Sequence, residues 1–147
     1  MIIHKNGDLF TSNADVLAHG CNCIGGFGAG IALQFAKHHP KSKEAYLKKY
    51  NTSGWNLGEV QLVKDSNRII ANCATQFGYG KYGNKKIHAD YNAIETCMKK
   101  LYRFCKENNK SIAIPKIGAG LAGGDWKIIS KIIEKIFTDL EIEIREF

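Results

Sequence analysis

Two glycine-rich stretches hold most of the residues whose type and spacing can do chemistry. The first reads His19, Gly20, Cys21, Asn22, Cys23, Ile24, Gly25, Gly26, Phe27, Gly28, Ala29, Gly30, Ile31, and the second Ile117, Gly118, Ala119, Gly120, Leu121, Ala122, Gly123, Gly124. Where no Cβ stands in the way, backbone N–H groups can approach an anion closely. A helix opening at the far end of such a loop adds a partial positive charge. The pair therefore predicts a diphosphate clamped from two sides. His19 is the titratable group that the first stretch carries. Asp8, in the turn Asn6-Gly7-Asp8, either caps the turn that follows or accepts a hydrogen bond from an exocyclic amine. Cys21 and Cys23 form a C-x-C pair without a second thiol pair nearby, so no metal site is expected and the thiols read as small packed residues.

These stretches need strands to deliver them and helices to receive them. Ile2 and Ile3 open a first strand. Val16 to Ala18 is a short apolar strand that feeds the first glycine loop, and Ala29 to His38 follows as a helix with Ile31 and Phe35 on one face. Pro40 ends that helix and starts the next, roughly 41–50. Val60 to about 64 and Arg68 to Ala74 are spaced as an antiparallel hairpin around Asp65-Ser66-Asn67. Thr75 to Lys86 is polar, glycine-containing and aperiodic, which predicts a surface loop bordering a site. Ile87, Tyr91, Ile94, Met98, Leu101 and Cys105 then form one apolar helical stripe. Ser111 to Pro115 is a buried strand leading into the second glycine loop. Asp125 caps a helix with Trp126, Ile129, Ile133 and Ile136 inward, and Leu140, Ile142 and Ile144 alternate with charged residues in a last strand. Strands alternating with helices give an α/β chain, a three-layer α/β/α sandwich on a mixed central sheet, in which ligands bind beyond the carboxyl ends of strands.

A chain of 147 residues suits a single domain spanning 1–147. No apolar run of membrane-spanning length and no signal-peptide pattern occur, so a cytoplasmic protein without membrane contact is expected; a monomer is expected as well. The five cysteines are an odd number, unsuited to a disulfide framework. A formal charge of +7 favours polyanions, but the lysines are scattered and form no basic stripe, which ranks nucleic-acid binding last. Neither the dinucleotide fingerprint G-x-G-x-x-G nor a P-loop is matched.

The ordered set Gly7-Asp8-Leu9, then Asn22 in His-Gly-Cys-Asn, Gly28-Ala29-Gly30-Ile31-Ala32, and Pro115-x-Ile117-Gly118-Ala119-Gly120 resembles the macrodomains, modules that bind ADP-ribose. The resemblance covers essentially the whole chain. It implies that Asp8 binds the adenine amine beside the Leu9 amide and that Asn22 holds hydroxyls of the distal ribose. It also implies that amides of Gly28, Ala29, Gly30 and Ile31, and of Gly118, Ala119, Gly120, Leu121 and Ala122, hold the diphosphate. Within the family the first stretch, with Thr75-Gln76-Phe77-Gly78, is most similar to the ADP-ribose 1''-phosphate phosphatases. That branch associates the histidine before the asparagine with catalysis, which makes His19 an acid or base and Asn22 its partner in positioning ribose or water. No cofactor is implied.

A second branch removes ADP-ribose from proteins or DNA bases, using a lysine where this chain has Gln76 and, in some members, an aspartate where it has Ala122. Neither residue supplies that chemistry. Arg145 stands where related domains often carry an aromatic residue near adenine, and a guanidinium can also stack on a base. The alternatives to a phosphatase are thus a glycohydrolase acting on ADP-ribosylated protein or nucleic acid, or a non-catalytic reader of ADP-ribose.

Overall fold

A computed structural model describes residues 1–78, 88–120 and 122–146. Six strands, β1 (Ile2–Asn6), β2 (Val16–Cys21), β3 (Val60–Asp65), β4 (Arg68–Ala74), β5 (Ile112–Ile114) and β6 (Ile142–Glu146), form one sheet in the order β1-β6-β5-β2-β4-β3. All neighbours are parallel except the β3/β4 hairpin. Its antiparallel register, Val60 opposite Cys73 through Asp65 opposite Arg68, is the one its short turn dictates, with Ser66 at φ 57°. The mixed sheet matches the reading from sequence.

Among the described residues, four helices cover the two faces. Helices α1 (Gly30–His38) and α2 (Pro40–Thr52) lie on one side, α3 (Tyr91–Asn108) and α4 (Trp126–Ile136) on the other. Pro40 occupies the first turn of α2, where its missing N–H costs nothing. Asp90 caps α3 by accepting from the Ala93 amide, and Asp125 caps α4 by accepting from that of Lys127. The α3 stripe is buried from Ile94 to Cys105, whereas Ile87 and most of the 75–86 loop lie outside the described residues.

The sheet divides the core in two. Val16, Ala18, Ile112, Ile114 and the α3 and α4 stripes make one cluster; Leu17, Cys21, Phe27, Phe35, Tyr46 and Trp55 make the other. Alternation along β2 decides which residue goes where, since successive side chains leave opposite faces. All five cysteines are free and buried. Among the described residues no helix is long and apolar enough to cross a membrane.

Candidate functional site

Both glycine stretches emerge at the carboxyl ends of parallel strands, the first after β2 and the second after β5, and these two strands are neighbours. Between them lies a cavity of about 700 Å³, a size that suits a nucleotide-like ligand. Gly28, Ala29, Gly30, Ile31 and Ala32 line it from the first stretch, Gly118, Gly120 and Ala122 from the second, and Gln76, after β4, closes one end. The two loops read from sequence as halves of one clamp do face one cavity.

Local structure explains why donors are available there. Helix α1 begins at Gly30 with Ala29 in the capping position and no side-chain cap, unlike α3 and α4. Its first-turn amides therefore have no side chain to satisfy them and sit in the cavity wall. The glycines sort into two kinds. At Gly118 φ is +75° and a Cβ would come within 2.9 Å of Ile94 Cδ1, so the fold itself demands glycine. At Gly28 and Gly120 no positive φ is required and a Cβ would meet nothing within 4 Å. Both line the cavity.

Asn22 lies at the head of the first loop and organises it. Its Oδ1 accepts from the amides of Ile24 and Gly26, each at 3.0 Å, and its Nδ2 donates to the Gly26 carbonyl at 2.7 Å. The buried Tyr46 hydroxyl lies 2.8 Å from Asn22 Oδ1 and accepts from the Gly25 amide at 3.1 Å. Tyr46 is held in turn by Trp55, whose Nε1 donates to the Tyr46 carbonyl, and desolvation raises its phenol above the ordinary range. This role of Tyr46 is not legible in the sequence, because nothing in the spacing from 22 to 46 links a loop to the next helix but one. Asn22 keeps a place on the cavity wall, and one hydrogen of its Nδ2 remains beyond the bond to Gly26.

His19 is placed elsewhere, which corrects the expectation that its imidazole stands beside the ligand. It is wholly buried and absent from the cavity wall. Its ring stacks on Phe35 at 4.0 Å, meets Phe27 edge-on, and its Nε2 lies 2.7 Å from Asn72 Oδ1. Asn72 Nδ2 donates to the Ser42 carbonyl and to Gln61 Oε1, so Asn72 Oδ1 must accept and His19 Nε2 carries the proton. Burial pulls its pKa down to about 4, the bond to Asn72 opposing only in part. The physical reason is the strand's period of two: His19 shares a face with Leu17 and Cys21, under α1, while Gly20 faces the other layer. Burial likewise pushes the Cys21 thiol up and the Cys23 thiol up to about 11, which removes both as nucleophiles at neutral pH.

The remaining candidates are spread out. Asp8 accepts from the Phe10 amide at 2.9 Å as the cap of a short 3₁₀ turn (Leu9–Thr11), and Leu9 is buried. Arg145 reaches the same turn, its guanidinium 3.4 Å from Thr11 Oγ1 and ion-paired to Glu143. Asp8, Leu9, Arg145 and Ala119 do not line the cavity, and Leu121 lies outside the described residues. Sheet order gives the site a direction, with Asp8 and Arg145 at the β1/β6 end and Asn22 and Gln76 at the β2/β4 end.

Comparison with known proteins accords with this geometry. The DNA ADP-ribosyl glycohydrolase of Mycobacterium tuberculosis is 30% identical over 145 residues, 95% of this chain, which spans only 40% of that protein's length. The ADP-ribose 1''-phosphate phosphatase of Candida albicans is 28% identical and covers 98% of both chains. A solved structure of a protein of unknown function from Bacteroides thetaiotaomicron superposes with a TM-score of 0.92 at 30% identity, covering 100% of this chain and 98% of its own. The family model described as Macro domain matches residues 18–133, from within β2 to within α4 and so across both glycine loops. The chain belongs to the macro domain family.

Proposed function

We propose that this chain binds ADP-ribose between its two glycine loops and hydrolyses ADP-ribose 1''-phosphate to ADP-ribose and phosphate. The observation that carries the reading is the pair Gly28 and Gly120, which line the cavity from opposite loops although neither packing nor backbone conformation requires glycine there. The ADP-ribose 1''-phosphate phosphatases among its relatives cover nearly the same length, which supports the choice of substrate. In this reading the diphosphate takes the uncapped amides of α1 and those of the second loop. The spare Nδ2 hydrogen of Asn22 meets a distal ribose hydroxyl, which puts the 1''-phosphate at the β2/β4 end. Water attacks phosphorus, the bond from phosphorus to the anomeric oxygen breaks, the proton that water loses passes to that leaving oxygen, and fixed amides stabilise the charge that develops. His19 takes no part in proton transfer and acts through packing alone. Five buried free thiols fit a reducing compartment, and we place the protein in the cytoplasm as a monomer.

The wall itself favours a second reading, a reader of ADP-ribose without turnover. Among the described lining residues there is no carboxylate or imidazole to move a proton. Phosphate release from ADP-ribose 1''-phosphate, followed colorimetrically, decides between them. Release supports the phosphatase; calorimetric binding with no release from this substrate and none of ADP-ribose from a DNA-linked one leaves the reader. For either, Gly28→Ala and Gly120→Ala should fold normally and bind ADP-ribose at least about tenfold more weakly, since a methyl group would stand where phosphate oxygens approach. Unchanged affinity in both would sink the clamp.

A further inference from the structure

Among the described residues, one formally charged residue lines the cavity, Lys116; the other polar ones, Asn22, Gln76 and Cys21, are neutral. Lys116 leaves β5 just before the second glycine loop. Its Nζ lies 2.9 Å from Glu146 Oε1 at the end of β6, with both side chains partly exposed, at 35% and 52%. The ammonium also sits 5.9 Å from the centre of the Trp126 ring. Because β5 and β6 are adjacent while β2 and β4 lie beyond β5, Lys116 stands toward the end opposite Gln76. Arg145, the neighbouring cation on β6, is already engaged by Glu143.

A solvated ion pair of this kind contributes little to stability, so parting it costs little. A diphosphate offers Lys116 a stronger partner, with charge-assisted hydrogen bonds in a more enclosed setting. Lysine suits such an exchange, being a point charge on a flexible four-carbon stem. We propose that Lys116 is a partner-exchanging specificity residue, held by Glu146 in the empty protein and passed to the ligand's diphosphate on binding. Glu146 is then a competing anion, and the cation reads the diphosphate rather than a terminal phosphate at the far end. The inference rests on the ADP-ribose reading of the cavity.

The test is calorimetry on the whole chain with ADP-ribose, a phosphonate analogue of ADP-ribose 1''-phosphate that resists hydrolysis, and adenosine, for the native protein, K116Q, E146Q and the double variant. K116Q should weaken both phosphorylated ligands about tenfold, by the same factor for each, and leave adenosine unchanged. E146Q should tighten ADP-ribose roughly two- to fivefold, and that gain should vanish in the K116Q background. If native protein takes up no ADP-ribose, the reading of the cavity itself falls. If it binds but E146Q weakens or leaves affinity alone, or if K116Q penalises the 1''-phosphate compound more, the exchange by Lys116 is refuted while the cavity reading stands.

Discussion

Replacing His19 by Gln removes the buried imidazole and keeps an N–H donor for Asn72. Because burial depresses the folded-state pKa to about 4, from an ordinary value near 6.5, the unfolded chain binds the extra proton throughout that interval. Stability therefore rises with pH across it: the contribution is complete above about pH 6.5 and is lost as pH falls toward 4. At about 1.4 kcal/mol per pKa unit, the window holds about 3 kcal/mol, a large part of the stability of a domain this size. Denaturant melts at pH 7, 6, 5 and 4.5 should show native protein losing most of this amount, and thermal melts at the same pH values a melting temperature lower by roughly 10 °C. His19→Gln should start less stable, having lost the stack on Phe35, but decline less steeply over the same range. Parallel curves for the two proteins would refute the burial argument. The same variant separates packing from catalysis: if His19 only packs, the pH dependence of any phosphate release should keep its shape in His19→Gln.

Tyr46→Phe removes the hydroxyl joining Asn22 to the Gly25 amide and should cost about 1–2 kcal/mol, seen as a lower melting temperature and faster hydrogen exchange at Gly25. Gly20→Ala should be worse tolerated than Gly28→Ala, since its Cβ would collide with Thr75 Oγ1 in a packed strand; a loss of about 1–3 kcal/mol in denaturant unfolding is expected. Asp8→Ala should lower stability by about 1 kcal/mol through the lost cap, and calorimetry with adenosine will show whether the carboxylate also meets a base. Iodoacetamide at pH 8 should label none of Cys21, Cys23, Cys73 or Cys105 in the folded protein and all of them after unfolding, as read by mass spectrometry; burial raises the thiols of Cys21, Cys23 and Cys105, and a hydrogen bond with Cys97 together with burial raises that of Cys73.

Elements with a strong period are legible in the amino-acid sequence. The α3 stripe and the β3/β4 hairpin are where spacing puts them, because one amphipathic face and one short turn leave little choice. The meeting of the two glycine loops at one cavity is legible too, since each follows an apolar run and precedes a helix, which brings both out at the carboxyl ends of strands. What stays hidden is the facing of β2. Asn22 follows His19 closely in the chain, which suggests a shared site, yet the loop departs from the strand end while the imidazole leaves the strand sideways, beneath Phe35. A single sequence does not say which helix pair covers which face of a sheet. Thr75 is a similar case: it opens a polar stretch in the sequence, yet it is wholly buried, and its hydroxyl has no partner among the described residues.

The two loops are rooted in different cores. The first is tied through Asn22, Tyr46 and Phe27 to the layer of α1 and α2, and the second through Ile117 and the close packing of Gly118 against Ile94 and Ile129 to the layer of α3 and α4. Any ligand that touches both loops becomes a strut between two otherwise separate bodies of packing. At a hundredfold excess over Kd, mass action alone adds about 2.7 kcal/mol of stability. That gain should be felt on both sides of the sheet at once, so amide protons in α2 and in α4 should slow together once the cavity is filled.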